Sequence, residues 1–241
     1  MGVTNQQSGT RIEEVAERIF RISTPFPDVP GGFSFNQYLI ADDQPLLYHT
    51  GPRSMFALVK EAIATVLPVA QLRFIGFSHF ESDECGSIND LLAVAPQATP
   101  LCGQVNAMIN RDMFDRAPQV IADGATISLG NHRVRWFDTP HLPHAWECGH
   151  LFEEKTRTLL CGDLFTQGGS SAPAVTSSDI LEPSEAFRKQ MDYFSHTKNV
   201  RSLMDRLAST EPTTLACMHG SAWQGNGARL LRELADKLDT P

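Results

Sequence analysis

Long apolar runs, paired cysteines and an excess of positive charge are all scarce or missing in this chain of 241 residues. The most apolar early stretch, Ala62-Ile63-Ala64-Thr65-Val66-Leu67, is stopped by Pro68 and falls far short of the roughly 20 apolar residues that span a bilayer. Residues 1–11 are polar and hold no apolar core of a secretory leader. The five cysteines, Cys85, Cys102, Cys148, Cys161 and Cys217, form no Cys-x-x-Cys pair, and their odd number speaks against a secreted disulfide framework. Together these absences predict a cytoplasmic protein with no membrane contact. With 20 Lys and Arg against 28 Asp and Glu, a net charge of -8 leaves no basic stripe for nucleic acid. No glycine-rich phosphate loop is present, the spacing around Gly168-Gly169 being unsuited to one. Nor is there a low-complexity tract or long linker, so one domain over 1–241, large enough to bury its own core, is expected.

What the chain does have begins at Phe77-Ser78-His79-Phe80-Glu81-Ser82-Asp83-Glu84, where metal-capable side chains alternate just as the apolar run Leu72-Arg73-Phe74-Ile75-Gly76-Phe77 ends. An imidazole with carboxylate oxygens suits iron, manganese or zinc and does not suit soft thiolate chemistry. A lone His-x-Glu-x-Asp is weak, but it has company. His144 follows the strand-like Val134-Arg135-Trp136-Phe137, Asp163 follows Thr158-Leu159-Leu160-Cys161-Gly162, and His219 follows Thr214-Leu215-Ala216-Cys217-Met218. Sheet-based folds gather ligands in this way, each at the mouth of a strand. Cys161 and Cys217 each lie two residues before such a position, so strand alternation turns them to the same side, as small buried hydrophobes near the site.

Pattern reading places strands near 18–22, 37–41 and 46–49, a helix over 52–67 between Pro52 and Pro68, a strand over 72–77 and a short helix over 87–95. A strand at 98–101 and a helix at 104–114 follow. From 125 onwards close-set strands take over, at 125–129, 133–137, 149–153 and 158–161, with Gly130-Asn131 as a hairpin signal that needs positive φ. The Gly-, Ser- and Thr-rich stretch 165–182 reads as a loop over the site entrance, ahead of helices at 183–196 and 199–209, a strand at 213–218 and a last helix at 228–238. This order predicts an α/β fold in four layers, αββα, with two mixed β-sheets flanked by helices.

The ordered set, together with Asn36-Gln37-Tyr38-Leu39-Ile40 and the His49-Thr50-Gly51 turn, resembles the metallo-β-lactamase fold superfamily across nearly the whole chain. Zinc hydrolases of that superfamily read His-x-His-x-Asp-His at the first motif. Glu81 in place of the second His is instead similar to the flavodiiron branch and its stand-alone oxygen-binding diiron proteins. The resemblance implies two iron ions, with zinc or manganese as substitutes: His79, Glu81 and His144 on one, Asp83 and His219 on the other, and Asp163 bridging. It also implies dioxygen or nitric oxide as ligand. Only Ser221 to Pro241 remain beyond the last ligand loop, so no flavodoxin module and no FMN are expected. Electrons would then come from an external redox partner. A homodimer is a further expectation.

Some positions stay open. Glu84 stands where many relatives carry a second-metal His, and reads as an outward carboxylate, a weak ligand or an acceptor behind the ligands, with the non-ligand roles preferred. His141 competes with His144, which the alignment favours. Glu147 is either an orienting partner of an imidazole or a solvated carboxylate. His49 either bonds a ligand or bound oxygen or closes a turn. Tyr193 resembles a helix-borne tyrosine that could donate to a bound dioxygen species, or it is core. His132, His150 and His196 read as structural or surface residues. The function expected is an oxygen-binding diiron sensor or the terminal component of a dioxygen or nitric oxide reductase. The alternative is a metal-dependent hydrolase of an ester, thioester or phosphoester, and a third reading is an interaction protein without turnover.

Overall fold

In the computed structural model, which describes residues 2–239, two seven-stranded sheets face one another. Strands β1 (Arg11–Ala16), β2 (Ile19–Phe26), β3 (Phe33–Ile40) and β4 (Leu46–Tyr48) form an antiparallel meander, and β5 (Phe74–Gly76), β6 (Thr99–Gly103) and β7 (Gln119–Ile121) extend it in parallel. The second sheet repeats the plan. Its meander is β8 (Thr126–Ser128), β9 (Arg133–Asp138), β10 (Gly149–Glu153) and β11 (Thr158–Leu160). Strand β13 (Thr214–Ala216) then pairs parallel to β11, followed by β14 (Ala222–Gln224) and the two-residue β12 (Val175–Thr176).

Period-two alternation assigns the layers. Tyr38, Ile40, Leu46, Tyr48, Trp136, Leu151, Leu160 and Ala216 turn into the space between the sheets. Their neighbours Leu39, Leu47 and Ile75 turn outward onto Val59 and Ile63 of α1 (Phe56–Ala64) and Leu91 of α3 (Ile88–Val94). On the far side Leu159 and Leu215 meet Met204 and Leu207 of α6 (Val200–Ala208) and Leu231 and Leu234 of α7 (Gly227–Leu238). The result is the four-layer αββα arrangement with mixed sheets. No helix among the described residues is long and apolar enough to cross a membrane.

Several elements differ from the pattern reading. Strand β1 escaped it because Arg11, Glu13 and Glu14 mask the two buried residues, Ile12 on the helix side and Val15 between the sheets. The expected helix over 52–67 is a 3₁₀ turn at Arg53–Met55 followed by α1, which ends at Ala64. That over 104–114 stops as α4 (Gln104–Ile109). The helix expected over 183–196 is α5 (Leu181–Met191), halted where Asp192 turns left-handed at φ 49°. The loop over 165–182 hides β12, which exists only because β14 pairs with it. Gly130 does adopt a positive φ, 125°, between β8 and β9.

Candidate metal centre

The C-terminal ends of β5, β9, β11 and β13 deliver the site. Past β5 the chain crosses Phe77-Ser78 to His79, then enters α2 (Ser82–Cys85), a single turn whose extended preceding residue is Glu81. His144 comes from the loop between β9 and β10, Asp163 from the turn after β11, and His219 from the turn after β13. The last turn is fastened across the sandwich by β3. Asn36 donates to the carbonyls of Cys217 (3.0 Å) and Gly220 (2.8 Å), and the Tyr38 hydroxyl donates to that of Cys217 (2.7 Å).

All three imidazoles present Nε2 to one place. His144 Nε2 lies 3.0 Å from Glu81 Oε1 and 3.5 Å from Asp163 Oδ2, and His79 Nε2 lies 3.7 Å from both of those oxygens. On the other side His219 Nε2 lies 3.2 Å from Asp163 Oδ1 and 3.6 Å from Asp83 Oδ2. Asp163 thus turns one oxygen to each cluster. With metal–ligand bonds of about 2.1 Å, adjacent ligand atoms on a coordination shell sit about 3.0–3.4 Å apart, close to these separations. His79 Nε2, His144 Nε2, Asp163 Oδ1 and both Glu84 carboxylate oxygens are buried without a hydrogen-bond partner. Buried polar atoms are ordinarily bonded, so their concentration at one point fits a pair of ions: hard carboxylate oxygens and imidazoles suit iron or manganese as well as zinc.

The charges agree. Burial alone would push the Asp163 carboxyl up, yet His219, with Nε2 3.2 Å from Oδ1, and the nearby His79 and His144 hold it well below the usual carboxylate range. Burial likewise pulls on His219 and His144, but Asp163 on the first and Glu81 on the second hold both above the ordinary imidazole value. Burial keeps His79 below it. His144, with Nε2 3.0 Å from Oε1, holds the Glu81 carboxyl below the usual value.

Residues behind the ligands set their orientation. Ser78 Oγ lies 2.9 Å from His79 Nδ1 and 3.1 Å from His49 Nε2. For His79 to offer Nε2 to an ion, Nδ1–H donates to Ser78, whose own proton goes on to His49. Burial holds the His49 imidazole well below its ordinary value, so it is the neutral acceptor this relay requires. His219 Nδ1 bonds the Ser34 carbonyl at 2.8 Å, and Phe33 stacks on its ring at a 4.3 Å centroid separation. The Asp163 carbonyl accepts from Thr166 Oγ1 (2.8 Å) and the Tyr193 hydroxyl (3.1 Å).

Other expected positions resolve differently. Tyr193 lies past the end of α5, not on a helix, and its phenolic proton is used on the Asp163 carbonyl. Glu147 orients no imidazole: it accepts from the Phe80 backbone N–H at 3.0 Å and braces the first motif. His141 is exposed in a left-handed conformation, φ 63°, while His144 faces the centre. Glu84 is no outward carboxylate; it is fully buried with Oε1 3.9 Å from His79 Nε2. Burial, with Asp163 and Asp83 beside it, pushes its carboxyl well above the usual range. Cys161 and Cys217 are free and fully buried. His132 and His150 are buried as well, the first 3.0 Å from Glu153 and the second bonded to Thr139 Oγ1 and the Cys161 carbonyl, whereas His196 is exposed. Ser34, Ser78 and Thr166 were not singled out from the sequence; only Ser78 carried a signal, its place next to a ligand.

A putative diflavin flavoprotein A 2 of Synechocystis sp. is 23% identical over 197 residues, 80% of this chain but 34% of that protein. An anaerobic nitric oxide reductase flavorubredoxin of Shigella dysenteriae is 24% identical over 220 residues, 83% of this chain and 43% of its own length. The chain therefore spans less than half of either relative. In three dimensions it is similar to the flavodiiron protein from Giardia intestinalis, with a TM-score of 0.83 at 17% identity over 94% of this chain and 59% of that one. Residues 33–220 match a family described as ODP family beta lactamase. That span takes in every turn of both sheets that carries a candidate ligand, and the chain belongs to this family.

Proposed function

We propose that this chain holds two iron ions and binds dioxygen or nitric oxide, as a sensor or as the terminal component of a reductase supplied with electrons from outside. The observation that carries the reading is Asp163, with one oxygen turned to His79 and His144 and the other to His219, the disposition of a carboxylate shared by two cations. Glu81 adds weight, because a carboxylate where zinc hydrolases carry an imidazole moves the donor set towards harder, redox-active iron. Relatives named as a nitric oxide reductase and as a diflavin flavoprotein fit the same chemistry. When bound, the iron pair supplies the electrons and the binding positions for a diatomic ligand. The protein residues do the rest: Ser78 and His49 fix the protonated edge of His79, and Thr166 and Tyr193 hold the Asp163 backbone. Phe33 and Phe35 wall the His219 side with apolar surface.

Reducing dioxygen to water takes four electrons and a ferrous pair carries two, so sustained turnover needs an external donor. The test is anaerobic loading of the full chain with ferrous iron, followed by exposure to dioxygen or nitric oxide. A new near-ultraviolet absorption is expected, with slow oxygen consumption that rises when a reductant is supplied. A spectrally silent iron-loaded protein, beside a zinc- or manganese-loaded sample that cleaves esters or phosphoesters efficiently, would overturn the reading in favour of the hydrolase.

A further inference from the structure

The two ligand clusters are unequal. The first ion can draw on His79, Glu81, His144 and Asp163, whereas the second is left with Asp83, His219 and a share of Asp163. Beside that deficit sits Glu84, on the same helical turn as Asp83. Its side chain has no exposed surface, and neither carboxylate oxygen has a hydrogen-bond partner. One oxygen, Oε1, is 3.9 Å from His79 Nε2. Glu84 offers a ligand atom that groups within 4.8 Å of those of Asp83 and His219, and equally with those of His79 and Glu81. A buried carboxylate that accepts no hydrogen bond is costly to keep ionised, and a cation beside it would compensate that cost.

We propose that Glu84 is a metal ligand, the fourth protein donor to the ion held by Asp83, Asp163 and His219, placed to reach towards the His79 side as well. The inference rests on the dinuclear reading above. With Glu84 the centre carries four carboxylates, Glu81, Asp83, Glu84 and Asp163, whose four negative charges match those of two divalent cations. Without it one positive charge is left over. An oxygen-rich donor set moves the second position towards harder cations.

The experiment titrates metal-free full-length protein with ferrous iron, and separately with manganese(II), under anaerobic conditions. It compares wild type with Glu84→Gln, which keeps the shape, and Glu84→His, which restores a donor. Ions per chain and the affinity of each are read by competition with a chelator, and manganese pairing by electron paramagnetic resonance. Wild type is expected to take two ions. Glu84→Gln should bind the first ion within about threefold of wild type and the second about 100-fold more weakly, at the upper end of losing a group that merely orients a ligand. Glu84→His should recover the second ion in part, which a purely structural role for Glu84 would not produce. Thermal melting of the metal-free variants checks folding, and Glu84→Gln should melt no lower than wild type because it relieves the crowding of buried carboxylates formed with Asp83 and Asp163. Two ions bound by Glu84→Gln with wild-type affinity would overturn the assignment of Glu84 alone. A wild-type protein that takes one ion or none would overturn the dinuclear reading instead.

Discussion

Replacing Asp163 by Asn removes one negative charge from the meeting point of the two clusters and changes almost nothing else. The backbone of residue 163 is held by the Thr166 and Tyr193 hydroxyls, so the amide would sit where the carboxylate now sits, with one oxygen's place taken by NH2. The carboxylate faces His219 Nε2 at 3.2 Å, His144 Nε2 at 3.5 Å and His79 Nε2 at 3.7 Å, so both ions lose an anionic donor at once. Losing a group that only orients a ligand costs about 10–100-fold in metal affinity. A shared ligand belongs at or above the upper end, about 100-fold for each ion, or about 2.7 kcal/mol apiece. A second effect has the opposite sign. Asp163 holds His219 above the ordinary imidazole value and adds to the larger effect of Glu81 on His144, and a metal must displace those protons. In Asp163→Asn the two imidazoles lose that support and release protons at lower pH, so metal affinity should fall less steeply as pH drops below about 6.5. The assay is chelator competition with ferrous iron under anaerobic conditions, run across pH, with ions per chain counted separately. Wild-type affinity for both ions in Asp163→Asn would refute the bridging role. A loss confined to one ion would show the carboxylate to be an ordinary ligand.

Ser78→Ala breaks the relay from His49 to His79 and leaves every ligand in place, so two ions should still bind, with the His79 ion weakened about tenfold; unchanged affinity would show that the relay orients nothing. His150 is kept neutral by burial, its imidazole brought down to about 4, while an unfolded histidine titrates near 6.5. The unfolded chain therefore binds the proton first, and this residue's contribution is intact above about pH 6.5 and lost as pH falls towards about 4, a difference of about 3 kcal/mol. His150→Gln should flatten that arm of the melting temperature against pH in the metal-free protein. An acid arm as steep as in wild type would locate the titration elsewhere.

Much of the candidate site was legible in the chain because each candidate ligand follows an apolar strand, and strand ends are where a sheet collects distant residues. His79, Glu81, Asp83, His144, Asp163 and His219 could be read that way, and the structure brings all of them to one place. Tyr193 and Glu147 could not be placed so. What their polar atoms meet, the Asp163 carbonyl and the Phe80 N–H, are backbone groups with no sequence signature. Strand β12 was equally hidden, since two residues form a strand only when a partner stands alongside.

The sequence by itself determined the donor chemistry, the carboxylate at Glu81, and the alternation that layers two sheets between helices, because residue type and period are local properties. The direction of Glu84 and the Ser78 link from His49 to His79 were decided only by tertiary structure. Each depends on which side of a turn faces the gap between β5, β11 and β13, and that gap exists only once the two sheets have packed.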